Sequence, residues 1–358
     1  MVLKQFFFCL AIFSLPLQGV MAQEQAIFTY KGAEELTLIG KAVHREPFYH
    51  RVDTADYPEL PKQVKSLLTH SAGLAITFKT NSPTIAAKWC TSPRRSSANM
   101  TAIAFEGLDL YIKKDGFWQY AGVGQYGDSC STSILASHMD DTEKECLLYL
   151  PLYDEISEVE IGVTPGSSLS ALKNPFKKKI IVYGSSIVQG ASASRPGLAY
   201  PARLSRETGW NFVNLGLSGS AKMEKSVANM LSTMDADAFV LDCIPNASPQ
   251  EIKERTAYLI KSIRQSHPEA PIVMIQTIIR EHGYFNQQVG RHVKEQNEMV
   301  AQQVKALSTE VDNLYLITAE DLLGNDHEGT TDGTHPNDLG FDRMLRKIQP
   351  TLMDVLKF

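Results

Sequence analysis

Four short stretches carry residue types that together could perform acyl transfer. Asp332-Gly333-Thr334-His335-Pro336-Asn337 places two residues on a tight, glycine-containing turn between a carboxylate and an imidazole. That spacing lets the carboxylate reach Nδ1 and leaves Nε2 free to take a proton. A hydroxyl for that nitrogen stands in Gly184-Ser185-Ser186-Ile187-Val188-Gln189-Gly190, where an apolar run passes directly into Gly-Ser-Ser. Such a junction exposes Ser186 at a strand end and points the amides of the following helix start at the same place. Serine is a poor nucleophile by itself and needs the base. Donors for a developing oxyanion are the backbone of Gly219, in Leu215-Gly216-Leu217-Ser218-Gly219-Ser220, and the side-chain amide of Asn246, in Asp242-Cys243-Ile244-Pro245-Asn246. Each has a plainer reading in isolation: Ser186 as a helix cap, Gly219 as a turn former, Asn246 as a residue at a helix start. Their conjunction in one half of the chain favours nucleophile, base, orienting acid and oxyanion donors.

Two further stretches need assignment. Arg280-Glu281-His282-Gly283-Tyr284-Phe285 follows another apolar run, and Arg280, His282 and Tyr284 are candidates for substrate contact; ordinary surface charge is the alternative. Gly127-Asp128-Ser129 follows a glycine-rich segment with no buried strand before it and no helix after it, so it is expected to be a turn.

The elements that must position these groups fall into two rhythms. Short alternating stretches at 74–78, 84–89, 101–105, 108–112 and 159–163, punctuated by Gly, Asn, Asp and Ser, predict an all-β jelly-roll sandwich over 23–163. Residues 164–178 break both patterns and read as a linker. From 179 to 358, apolar runs at 180–183, 211–215, 238–242, 272–276 and 314–317 alternate with helical stretches, predicting an α/β domain with a doubly wound parallel sheet. Ser248-Pro249-Gln250-Glu251 is a capping box, and Leu339, Met344, Leu345 and Ile348 form the apolar stripe of a helix after Asn337. Ligands of such sheets bind beyond the carboxyl ends of the strands, where all four chemical stretches fall.

Composition sets the limits. The chain has 358 residues, 43% of them hydrophobic, with 23 Gly, 17 Pro and a formal charge of −5. Disorder and low complexity are excluded, and no basic excess exists to neutralise nucleic-acid phosphates. Lys4, an apolar run and Val20-Met21-Ala22 make residues 1–22 a cleavable secretory signal, which predicts a secreted or periplasmic protein. No other window is apolar for long enough to span a membrane. Cys90, Cys130, Cys146 and Cys243 lie beyond that leader, with no zinc-like spacing; Cys130 and Cys146 are a candidate disulfide, and buried free thiols are the alternative.

Gly184-Ser185-Ser186 with Gly190, Asn214-Leu215-Gly216 with Gly219, Asn246, and Asp332 with His335 resemble the ordered blocks of the SGNH (GDSL-like) esterase/lipase superfamily. Ser185 stands where that family usually has Asp, and Asn246 follows Cys-Ile-Pro instead of Gly-x. Gly107-Leu108-Asp109-Leu110-Tyr111 is similar to the Gly-x-Asp-Leu-Tyr motif of a subfamily with an N-terminal β domain, so the resemblance covers nearly all of residues 23–358. It implies a flavodoxin-like hydrolase domain behind a jelly roll. It also implies Ser186 as nucleophile and first oxyanion donor, Gly219 and Asn246 as further donors, His335 as base and Asp332 as its orienter. Asp109 and Tyr111 would serve a turn or a domain contact. The expected activity is hydrolysis of acyl esters, O-acetyl groups on carbohydrate foremost, with no metal or organic cofactor. The alternatives are another acyl-ester hydrolase, an acyltransferase, or a carbohydrate-binding protein with an inert hydrolase fold.

Overall fold

A computed structural model of the chain describes residues 27–93 and 97–357; the expected leader, residues 1–22, lies outside the described residues. The N-terminal half is two antiparallel sheets face to face. One has the order β1-β9-β4-β7, from Thr29–Gly32, Ile156–Val163, Ile85–Thr91 and Cys130–Ala136. The other has the order β10-β3-β8-β5-β6, from Leu169–Ala171, Ala75–Thr80, Lys144–Tyr149, Leu108–Lys114 and Phe117–Gly124, with β2 (Thr37–Ile39) also on β3. The alternation seen in sequence becomes the core: Ile76, Phe78, Leu108, Leu110 and Leu148 from one sheet meet Ile85, Trp89, Val159 and Ile161 from the other, all essentially sealed from solvent.

The C-terminal half is a five-stranded parallel sheet. β11 (Lys177–Gly184) lies between β12 (Trp210–Gly216) and β13 (Ala238–Asp242), and β14 (Ile272–Ile275) and β15 (Leu314–Ile317) continue from β13. Successive residues point to opposite faces. Ile181, Tyr183, Val213, Leu215, Phe239 and Leu241 pack with Val227, Leu231, Ile252, Leu259, Val300 and Val304, whereas Ile180, Val182, Phe212, Val240 and Val273 pack with Leu204, Phe341, Met344, Leu345 and Ile348. This doubly covered sheet explains why its strands read as unbroken apolar runs. The Ser248 capping box is formed in full, with the Glu251 amide donating to Ser248 Oγ and the Ser248 amide to the Glu251 carboxylate.

Three local expectations are corrected. Residues 101–105 are helical rather than a strand: the Thr101 hydroxyl caps Ala102–Glu106 by accepting the Ala104 amide, and five residues are too few for the apolar pattern to separate strand from helix. Within the expected linker 164–178, Leu169–Ala171 pairs with β3 and β11 already begins at Lys177. Cys130 bonds Cys90, its direct cross-strand neighbour, and not Cys146, which is a buried free thiol in the other sheet, as Cys243 is in the α/β half.

The halves are locked together by the Asp109 motif. Asp109 is fully buried; its carboxylate accepts Nη1 of Arg195 at 2.9 Å on both oxygens and the Gly197 amide at 2.8 Å. Arg195 also donates to the Tyr111 hydroxyl, and the Arg206 guanidinium lies 3.9 Å over the Tyr111 ring. Gly197 has to be glycine, since a Cβ there would fall 2.5 Å from that ring. Burial pushes the Asp109 carboxyl above its ordinary value, and Arg195 and the Gly197 amide oppose this. A second lock is Arg51, equally buried, whose guanidinium pairs with no carboxylate among the described residues. It donates instead to the carbonyls of Leu67, His70, Asn214 and Gly216, joining the segment after β2 to the end of β12. Replacing Asp109 with Ala strands Arg195 and the Gly197 amide, so we expect denaturant unfolding to show a loss of about 3–5 kcal/mol; a loss under ~1 kcal/mol would show that the contact does not hold the halves together.

Candidate active site

Ser186 begins the one-turn helix Ser186–Gln189 directly after β11. Gly184 permits the turn, because a Cβ there would lie 2.3 Å from the Asp242 carbonyl. The cap of this helix is Ser185, whose buried hydroxyl accepts the Ile187 amide at 3.2 Å. Ser185, not Ser186, therefore caps the helix, and the Ser186 hydroxyl is committed elsewhere: Oγ lies 2.9 Å from Nε2 of His335. On the far side of the imidazole, Nδ1 lies 2.7 Å from Oδ2 of Asp332.

The Asp332 loop is built to present that pair. Oδ1 of Asp332 accepts the backbone amides of Thr334 and His335, at 3.0 and 2.8 Å, closing the turn on itself. Asn337 caps the helix Asp338–Leu356 and donates from its side chain to the Glu328 carbonyl, anchoring the downstream end of the turn. Desolvation pushes the Asp332 carboxyl up, but the hydrogen bonds from the His335 amide and imidazole and from the Thr334 amide outweigh it and hold the group at about 2. It is a carboxylate throughout the range in which an imidazole titrates.

Gly219 sits in a turn after β12 with φ of +69°, and a side chain there would point into open space. The turn is held by Gln189, which accepts the Ser218 amide at 3.0 Å and donates to the Leu152 carbonyl. Asn214 donates to the Val188 carbonyl and accepts the Gly216 amide, tying β12 to the helix that Ser186 begins. Asn246 ends the short 3-10 turn Ile244–Asn246 after β13, whose carbonyls accept Gln296 Nε2 and Arg280 Nη2. Its Oδ1 is buried and has no hydrogen-bond partner among the described residues. Arg280, His282 and Tyr284 lie on the loop after β14: Arg280 contacts the Pro245 carbonyl at 2.9 Å, and His282 Nδ1 contacts the Gly333 carbonyl at 3.0 Å. The loop thus touches both the Asn246 turn and the Asp332–His335 turn, while Tyr284 stands in solvent against His327. Ser129 of the Gly-Asp-Ser stretch is exposed in a turn whose amides bind Asp128 and Ser131.

One residue at the site has no counterpart in the sequence reading. Asn99, from the N-terminal half, donates to the same Oδ2 of Asp332 at 3.0 Å and lies 3.2 Å from Nδ1 of His335. Its own carbonyl accepts the Ser192 hydroxyl at 2.9 Å. Nothing near Asn99 in sequence signals this, because the contact spans 233 positions.

Residues 177–353 match the GDSL-like Lipase/Acylhydrolase family, and residues 28–169 match the GxDLY family described as the N-terminus of Esterase_SGNH_hydro-type. A solved structure described as a GDSL-like lipase from Bacteroides ovatus ATCC 8483 is 58% identical, covers 92% of this chain and 98% of its own, and superposes with a TM-score of 0.91. This chain belongs to the GDSL-like lipase/acylhydrolase family. It is an ester hydrolase by family, with an N-terminal β domain of the GxDLY type. The same two-part fold is shared with a salicylyl-acyltransferase from a tetracycline biosynthetic pathway (18% identity, 90% and 97% coverage, TM-score 0.71). It is shared too with an acetyl xylan esterase from the rumen bacterium Butyrivibrio proteoclasticus (10% identity, 92% and 99% coverage, TM-score 0.57). No curated protein matches the chain significantly.

In this GDSL-like hydrolase the Asn99 contact makes a specific demand. Asn99→Ala is expected to lower kcat for p-nitrophenyl acetate by about tenfold with KM little changed, the size expected for losing one hydrogen bond to a charged group. Asn99→Asp, of the same shape but with a carboxylate facing Asp332, is expected to cost more than Ala; equal kcat in all three proteins would remove Asn99 from the site.

Proposed function

We propose that the chain is a serine esterase that removes acyl groups, acetyl foremost, from carbohydrate, acting on Ser186 through His335 and Asp332. The observation that carries this reading is the continuous relay from Oγ of Ser186 to Nε2 of His335 at 2.9 Å and from Nδ1 to Asp332 at 2.7 Å, on a hydroxyl that is not needed as a helix cap. His335 takes the Ser186 proton as Oγ attacks the ester carbonyl. Negative charge gathers on the carbonyl oxygen, where the Ser186 amide, the Gly219 amide and the Asn246 side chain are the donors in reach of the strand ends. The imidazolium formed is stabilised by the Asp332 carboxylate, and its proton passes to the departing alcohol. Water then enters and loses a proton to His335 as it attacks the acyl carbon, and the acid departs as His335 returns that proton to Oγ of Ser186. All of these groups come from loops at the carboxyl ends of β11, β12 and β13 and after β15, which is where a doubly wound sheet places a ligand.

The carbohydrate part rests on the fold shared with the acetyl xylan esterase and on the two-part layout, and the expected leader makes an extracytoplasmic site of action part of the proposal. No helix among the described residues is long and apolar enough to cross a membrane.

Ser186→Ala is expected to abolish hydrolysis of p-nitrophenyl acetate with unfolding unchanged; retained activity would exclude the nucleophile assignment. For Asn246→Ala, kcat is expected to fall by about 100-fold or more, as when an oxyanion donor is removed. An effect confined to KM would make Asn246 a binding residue instead.

A further inference from the structure

Arg280 is half-buried and its guanidinium donates to the Pro245 carbonyl; no carboxylate among the described residues pairs with it. Desolvation lowers its pKa with no acid to offset the effect, so the cation is kept at a cost to the free protein. The nearest acid in sequence, Glu281, is engaged by Nδ1 of His327 at 2.8 Å. Arg280 lines a cavity of about 420 Å³ together with Gln288, Val289, Arg291, His292 and Glu295, so its lining residues include two arginines and one acid. Beside the cavity in sequence stand Tyr284, 54% exposed, and Phe285, 92% exposed, on the 3-10 turn that leads into the helix Gln287–Leu307. Arg280, which lines the cavity, donates to the carbonyl of the residue preceding Asn246, and His282, two positions on, meets the carbonyl of the residue following Asp332, so the loop that carries Arg280 touches the turns of the proposed oxyanion donor and base.

A guanidinium with unfilled donors is suited to a planar oxyanion, and an exposed aromatic pair is suited to the apolar face of a sugar ring. We propose that Arg280 and its cavity form a subsite for a carboxylate-bearing sugar unit neighbouring the acylated one, with Tyr284 and Phe285 as the stacking lip, so that the preferred substrate is an esterified acidic glycan. This rests on the esterase reading above and names the substrate class for it. A neutral glycan leaves the guanidinium unpaired in the complex, whereas a uronate replaces lost water with a charge-assisted bond.

The test compares acetate release from an acetylated uronic-acid polymer with release from the same polymer after carboxyl reduction, with p-nitrophenyl acetate alongside. The wild-type protein is expected to favour the acidic polymer in kcat/KM by about tenfold or more, the scale of one charge-assisted hydrogen bond. That preference should shrink as NaCl is raised from about 0.02 M to about 0.5 M. In Arg280→Gln the ratio between the two polymers is expected to fall to about one. Phe285→Ala, at an exposed position, is expected to raise KM for both polymers while keeping their ratio. Hydrolysis of p-nitrophenyl acetate with a wild-type ratio near one, or an unchanged ratio in Arg280→Gln, overturns the subsite and leaves the esterase standing. Absence of hydrolysis of every ester overturns the esterase and the subsite with it.

Discussion

The carboxylate of Asp332 is the group from which the site hangs. One oxygen takes the amides of Thr334 and His335, which fixes the turn; the other takes the imidazole and the amide of Asn99. Four donors on two oxygens leave little freedom to the carboxylate, and the His335 amide and imidazole and the Thr334 amide keep it ionised although it is partly desolvated. The imidazole is then held with Nδ1 against that carboxylate and Nε2 against Oγ of Ser186. Because one of the four donors belongs to the other half of the chain, the geometry at Asp332 and His335 depends on a contact between the halves as well as on a local turn.

That dependence gives the N-terminal sandwich a physical task independent of sugar binding. The buried Asp109–Arg195 contact and the four carbonyls gathered by Arg51 keep the two halves in one register. Asn99 then reaches Asp332, and Tyr153 comes within 3.5 Å of the Ser186 carbonyl. The long range of these contacts matters, since a shift of an ångström at the domain boundary would be felt at the carboxylate. Family membership is decided by both halves: the GDSL-like match covers the sheet that carries the relay, and the GxDLY match covers the sandwich that braces it.

Much of this was legible in sequence because it is local. The parallel strands announce themselves as apolar runs, the capping box at Ser248 is a pattern of four residues, and Asp332 and His335 are three positions apart. What was not legible is what depends on distant pairing. Residues 101–105 alternate like a strand and are helical because Thr101 caps them; Cys90 meets Cys130 because the register of β4 on β7 places them opposite; Asn99 joins a group 233 positions away. Ser185 is instructive in the other direction. It departs from the family's usual residue, and the structure gives it a use, capping the helix that Ser186 begins so that the Ser186 hydroxyl is left to His335.

The central claim is that Ser186 is a nucleophile activated by a neutral His335. The most direct measurement is the site and pH dependence of labelling by a fluorophosphonate, read by peptide mass mapping. One adduct is expected, on Ser186, formed at a rate that falls on acidification, because the base must be neutral to take the Ser186 proton while Asp332, held at about 2, stays charged. An adduct on another serine, no adduct on folded protein, or a rate unchanged down to about pH 4 would contradict it.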